Sequence, residues 1–82
     1  MTSPPMVTVY TRAGCHLCED AITIVREVAA GRAHVALVDI DADRDLYDRY
    51  TVRVPVIAVD GVEIAEYQVA REQLETALRD VP

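Results

Sequence analysis

Apolar residues in this chain follow two rhythms. Short runs rich in β-branched residues alternate with stretches in which apolar positions recur every three or four residues. Met6-Val7-Thr8-Val9-Tyr10 opens the series, and Val7 to Thr11 is nearly continuous in β-formers, as in a strand buried on both faces. Arg12-Ala13-Gly14 makes a short loop. Ala21-Ile22-Thr23-Ile24-Val25-Arg26 reads as the body of a helix that starts at Cys15 or His16 and ends at Ala30, with Gly31 just past its C-cap. Val35-Ala36-Leu37-Val38-Asp39-Ile40 predicts a second buried strand, and Asp41-Ala42-Asp43 offers N-caps for a short helix through Tyr50.

Val54-Pro55-Val56-Ile57-Ala58-Val59 predicts a third strand, with Pro55 at its start, where a missing N–H is tolerated. Asp60-Gly61 is a strong hairpin signal, and Val62 to Glu66 forms the return strand. From Val69 or Ala70 to Arg79 the chain predicts an amphipathic helix with Leu74 and Leu78 on one face. The order is β-α-β-α-β-β-α. A helical crossover makes the first two strands parallel, and the hairpin makes the last two antiparallel. The expected class is α/β, a four-stranded mixed sheet flanked by three helices.

Length and composition narrow this picture. At 82 residues the chain is expected to form a single domain, 1–82, with 1–5 as a loose lead-in. A domain this small buries only ~60% of its unfolded surface. Its 51% hydrophobic content supplies a core, which must be largely aliphatic because Trp and Phe are absent. A net charge of −6 argues against nucleic acid as a partner, since a phosphate backbone requires a basic face. The N-terminal residues lack the charged and apolar regions of a signal peptide, and no apolar run reaches membrane-span length. The expectation is a cytoplasmic monomer without a membrane partner.

The candidate chemistry lies in Cys15-His16-Leu17-Cys18, which holds the only two cysteines of the chain. In a reducing compartment such a pair serves redox or metal chemistry more often than structure. A strand that delivers C-x-x-C to the first turn of a helix places Cys15 against unpaired N–H groups and the positive end of the helix dipole, which favours a thiolate. Cys18, one turn further on, suits a resolving thiol. His16 and Arg12 are candidate positive charges beside the pair, whereas Glu19 and Asp20 oppose a thiolate if they turn towards it. Other readings stay open at this point. A mononuclear zinc site lacks two of its four ligands, because His16 is too close in sequence and His34 is expected on the surface; a zinc or cluster shared between two subunits has four thiolates; a purely structural pair is the third. A redox-sensing domain that does not turn over is a fourth, with Tyr47, Tyr50 and Tyr67 as surface markers or packing residues.

Three segments, Val9-Tyr10-Thr11-Arg12-Ala13-Gly14-Cys15-His16-Leu17-Cys18, Val38-Asp39-Ile40-Asp41 and Tyr50-Thr51-Val52-Arg53-Val54-Pro55-Val56, resemble the glutaredoxin-like family of the thioredoxin superfamily. The resemblance covers nearly the whole chain. It implies a thioredoxin fold with Val54–Pro55 as a cis-proline bond facing the cysteines, where a peptide or glutathione pairs as an added strand. It implies Tyr10 and Thr11 near the rim and a thiol–disulfide oxidoreductase with Cys15 and Cys18 catalytic. Arg12, His16, Leu17, Arg53, Val54 and Pro55 are the expected substrate-binding residues, and no metal site is expected. Disulfide-bearing proteins are the expected substrates, with glutathione as an optional co-substrate, an unidentified thiol reductant and no bound cofactor. The chain departs from typical glutaredoxins in having His16-Leu17 in place of Pro-Tyr, Arg12 in place of a Lys, and Ile64-Ala65-Glu66-Tyr67-Gln68 where a Gly-Gly turn is usual.

Overall fold

A computed structural model describes residues 3–80. Along the chain run β1 (Met6–Thr11), α1 (His16–Ala29), β2 (His34–Asp39), a 3₁₀ turn (Ile40–Ala42), α2 (Arg44–Tyr50), β3 (Val56–Val59), β4 (Val62–Glu66) and α3 (Arg71–Arg79). The strands lie in the order β2-β1-β3-β4. β1 is parallel to β2 and antiparallel to β3, and β3 is antiparallel to β4. This is the expected mixed sheet with three helices.

Alternation along the strands separates two cores. Val7, Val9, Ile57 and Val59 point to one face, where they pack with Ala21, Val25 and Val28 of α1 and Leu74 of α3. The opposite face carries a smaller cluster of Ile40, Tyr50 and Val56, flanked by Tyr10, Leu46 and Val54. The expectations of a first strand buried on both faces and of a buried second strand need correction. In β1 only Val7 and Val9 are fully buried, because α2 covers the second face only in part. β2 has no fully buried residue and leaves Leu37 exposed, because it is the edge of the sheet. β3, one place in from the opposite edge, is buried at every position.

Local signals set most boundaries. Asp43 caps α2 by accepting from the amides of Asp45 and Leu46, and Asp39 caps the 3₁₀ turn through the amide of Asp41. That turn ends β2 at Asp39, one residue before the expected end. Pro55 lies outside β3, which begins at Val56, although the Pro55 carbonyl still accepts from Tyr67 N–H at 2.8 Å. Asp60 and Gly61 have φ of 48° and 85°, the signs required by a two-residue hairpin turn. The Asp60 carboxylate also accepts from Met6 N–H at 2.9 Å, tying the hairpin to the start of β1. Of the lead-in expected at 1–5, residues 1–2 lie outside the described residues, and Pro5 is anchored through its carbonyl to His34 N–H at 2.9 Å.

Candidate active site

The sheet register brings the chemistry to one end. Tyr10 pairs with Val56, so the chain leaving β1 and the chain entering β3 meet there. Glu66 pairs with Val56, so the chain leaving β4 arrives at the same end. The three converging segments are Arg12 to Cys15, Val52 to Pro55 and Tyr67 to Val69. His34 pairs with Met6 at the other end of the sheet, away from His16.

Cys15 is the N-cap of α1, in extended conformation, and Gly14 before it has φ of 76°. A positive φ suits glycine and turns the chain sharply from β1 into the helix. Cys15 and Cys18 form a disulfide with Cα atoms 5.2 Å apart. Cys15 Sγ accepts from Cys18 N–H at 3.2 Å, so the sulfur meets one of the otherwise unpaired amides of the first turn. Cys15 is half-buried, whereas Cys18 is only 1% exposed. The pair is therefore asymmetric, with Cys15 partly exposed and Cys18 buried. Among the described residues no group of three or more His, Cys, Asp or Glu side chains is arranged to hold a metal ion.

The expected substrate-binding residues take different positions. His16 is almost fully exposed, with Nδ1 3.7 Å from a Glu19 carboxylate oxygen. Leu17 is also exposed, at 41%. Arg12 turns away towards Asp41 and Thr51: Nη2 and Nε donate to the Asp41 carboxylate at 2.7 and 3.3 Å, and Nη1 donates to the Thr51 carbonyl and hydroxyl at 3.2 Å. It also lies over the Tyr47 ring. Hydrogen bonding to Asp41 raises its pKa above the ordinary arginine value.

Arg53 is committed in the same way. It donates to Glu66 at 2.8 Å and to Glu63, and it lies over the Tyr50 ring, 5.3 Å from the centroid. Glu63 and Glu66 share a face although they are three residues apart, because an irregularity opposite Ile57 and Ala58 inserts an extra residue in β4. The Arg53 hydrogen bond, followed by Tyr50 O–H at 3.2 Å, holds the Glu63 carboxyl below its usual range. Tyr10, expected near the rim, stacks on Tyr50 with centroids 4.3 Å apart, and burial followed by the Tyr50 neighbour raises its pKa.

The Val54–Pro55 bond is cis. Beside it stands Tyr67, a non-glycine residue with φ of 67°. Its N–H donates to the Pro55 carbonyl at 2.8 Å and its O–H to the Val52 carbonyl at 2.9 Å, so one residue clamps the Val52–Pro55 segment at both ends. A groove of about 250 Å³ runs between Leu17, Asp20, Ala21 and Ile24 of α1 and Tyr67, Gln68 and Val69. Sequence reading misses this groove. The helical spacing from Leu17 to Ile24 is legible, but the facing wall depends on a left-handed Tyr67, and no glycine or asparagine marks that turn.

A family model described as Glutaredoxin-like domain (DUF836) matches residues 6–79. Among solved structures, protein XcR50 from X. campestris is 31% identical, with a TM-score of 0.78 over 93% of this chain and 99% of that one. Protein Ne2328 from Nitrosomonas europaea is 28% identical, with a TM-score of 0.78 over 94% of each chain. A thioredoxin variant from Halobacterium salinarum, at 23% identity and a TM-score of 0.71 over 98% of this chain and 80% of that one, shares the fold. No functionally curated protein matches the chain significantly.

Proposed function

Because the chain belongs to the glutaredoxin-like family of the thioredoxin superfamily, we propose that it is a dithiol–disulfide oxidoreductase reducing disulfides carried by polypeptides, including mixed disulfides with a small thiol. The observation that carries this reading is the asymmetry of the pair: a half-buried Cys15 at a helix N-cap, its sulfur already accepting an amide N–H, beside a buried Cys18.

In the reduced protein the Cys18 N–H and the helix dipole favour the Cys15 thiolate over the thiol. The thiolate attacks one sulfur of the substrate disulfide. A Cys15–substrate bond forms, the substrate S–S bond breaks, and the second substrate sulfur leaves as a thiolate that takes up a proton. Cys18 then loses its proton and attacks Cys15 Sγ; the mixed disulfide breaks, the first substrate sulfur leaves, and the Cys15–Cys18 disulfide closes. Two electrons pass from the protein to the substrate. An external thiol reductant returns them, and the exchange requires no resident cofactor. The Val54 backbone, next to Pro55, is the proposed pairing edge for an extended substrate, and His16 and Leu17 follow Cys15 at the exposed start of α1.

The test is turnover of a disulfide-bonded peptide by the wild-type protein and two variants. Cys15→Ser is expected to lose activity entirely. Cys18→Ser is expected to accumulate a mixed disulfide, visible as an added peptide mass. Undiminished turnover of protein disulfides by Cys18→Ser contradicts the resolving role.

A further inference from the structure

We propose that the groove between α1 and Tyr67 is the specificity subsite of this centre, and that it takes an aliphatic side chain flanked by a basic residue from a disulfide-bearing polypeptide rather than any part of glutathione. The inference rests on the oxidoreductase reading for its biological role, but not for the binding it predicts.

Three observations carry it. First, the groove reaches the cysteine motif, because Leu17, which stands between the two cysteines in the chain, lines it, and Ala21 and Ile24 continue the same strip of α1. Leu17 and Tyr67 remain 41% and 48% exposed, an apolar rim beside a reactive pair. At about 250 Å³ the groove has room for one side chain and its backbone, not a folded surface. Second, the charge there is negative. Asp20 carries the only formal charge among the described residues lining the groove, Glu19 is its exposed neighbour, and the whole chain stands at −6. A basic residue flanking the inserted side chain is complementary, and an acidic one is repelled.

Third, the two arginines near the pair are already engaged. Arg12 spends its donors on Asp41 and Thr51, and Arg53 is held between Glu63 and Glu66. Glutathione carries two carboxylates and one ammonium, so its recognition calls for cations or free amides. Here an anionic tripeptide meets guanidiniums already paired with carboxylates, the Asp20 carboxylate, and a His16 ring that has the Glu19 carboxylate beside it at 3.7 Å. Tyr67 N–H, an amide at this rim, is consumed by the Pro55 carbonyl. Recognition therefore falls on the polypeptide side of a mixed disulfide, and the small thiol is simply the leaving group.

The test uses thiol-free probes, so that it does not depend on turnover. Isotope-labelled full-length protein in its disulfide form is titrated with three ligands: a hexapeptide with Arg-Leu beside a serine in place of cysteine, the same peptide with Glu-Ser in those places, and S-methylglutathione. The Arg-Leu peptide is expected to bind at least about tenfold more tightly than the Glu-Ser peptide. Its amide shift changes should centre on Leu17, Ile24 and Gln68, and its affinity should fall as salt rises. Asp20→Lys and Tyr67→Ser should each reduce the ratio between the two peptides, and Asp20→Lys should also remove its dependence on salt. S-methylglutathione should show no saturable shifts. Equal binding of the two peptides, shifts centred elsewhere, or saturable binding of S-methylglutathione overturns the proposal. Disulfide turnover, measured separately, judges the oxidoreductase reading: absent turnover with selective peptide binding defeats that reading and leaves the subsite standing.

Discussion

Single residues decide the chemistry through how far each can be reached. Cys15 and Cys18 are equivalent in the sequence except in order, yet the helix start leaves Cys15 partly exposed and buries Cys18. On reduction, a small alkylating reagent should modify Cys15 at least about tenfold faster than Cys18, a ratio that peptide mass analysis after brief labelling measures directly. Equal rates contradict the division into attacking and resolving thiols. The motif itself, and Cys15 at the helix start, were legible because the two cysteines stand between a β-prone run and a helical stretch. The roles of Arg12 and Arg53 were less so: their positive charge is visible in the sequence, but Asp41 lies 29 residues from Arg12, and only the fold joins them. In the core, Leu74 is fully buried, and Leu74→Ala should cost about 2–5 kcal/mol of stability in denaturant unfolding.

Elements position those residues, and their turns do much of the placing. The hairpin between β3 and β4 was readable from Asp60-Gly61, because a tight two-residue turn needs left-handed backbone that this pair supplies. A Cβ at Gly61 meets nothing within 4 Å, so Gly61→Ala tests backbone conformation alone. It should destabilise the protein by about 1–2 kcal/mol, and an unchanged unfolding midpoint contradicts the turn assignment. The extra residue in β4 leaves only a faint trace, the two successive apolar residues Ile64-Ala65 that interrupt the alternation, and sequence reading takes Val62 to Glu66 as a regular strand. Its consequence is the placement of Glu63 and Glu66 on one side of Arg53. Glu63 has a lowered pKa in the folded state, so its ionised form favours folding. That contribution is complete above the unfolded-state value of about 4.3 and is lost as pH falls through the lower folded-state value. The stability gap between wild type and Glu63→Gln should therefore be widest near pH 7 and narrow towards pH 3 in urea titrations. A gap that stays constant with pH removes the ion pair as its cause. The burial pattern was misread in β2 for a related reason: an apolar run does not reveal whether its strand is central or at an edge, and β2 is an edge.

At the scale of the whole molecule, one sheet end gathers the candidate site: the end of β1 with the cysteine loop, the Val54–Pro55 approach to β3, and the Tyr67 clamp. The topology was legible because each connection had a local signature, a helical crossover between parallel strands and a glycine turn between antiparallel ones. The groove beside the cysteines was not, because it forms only when α1 and the segment after β4 are brought together. No described helix is long and apolar enough to cross a membrane. The most direct measurement is intact-mass analysis of the purified protein equilibrated across a graded thiol–disulfide buffer, with free thiols alkylated at each point. A reversible loss of two hydrogens, confined to Cys15 and Cys18 and with a midpoint between roughly −200 and −270 mV, is the predicted result. Cysteines that remain fully reduced or fully oxidised across the entire range contradict a dithiol–disulfide oxidoreductase.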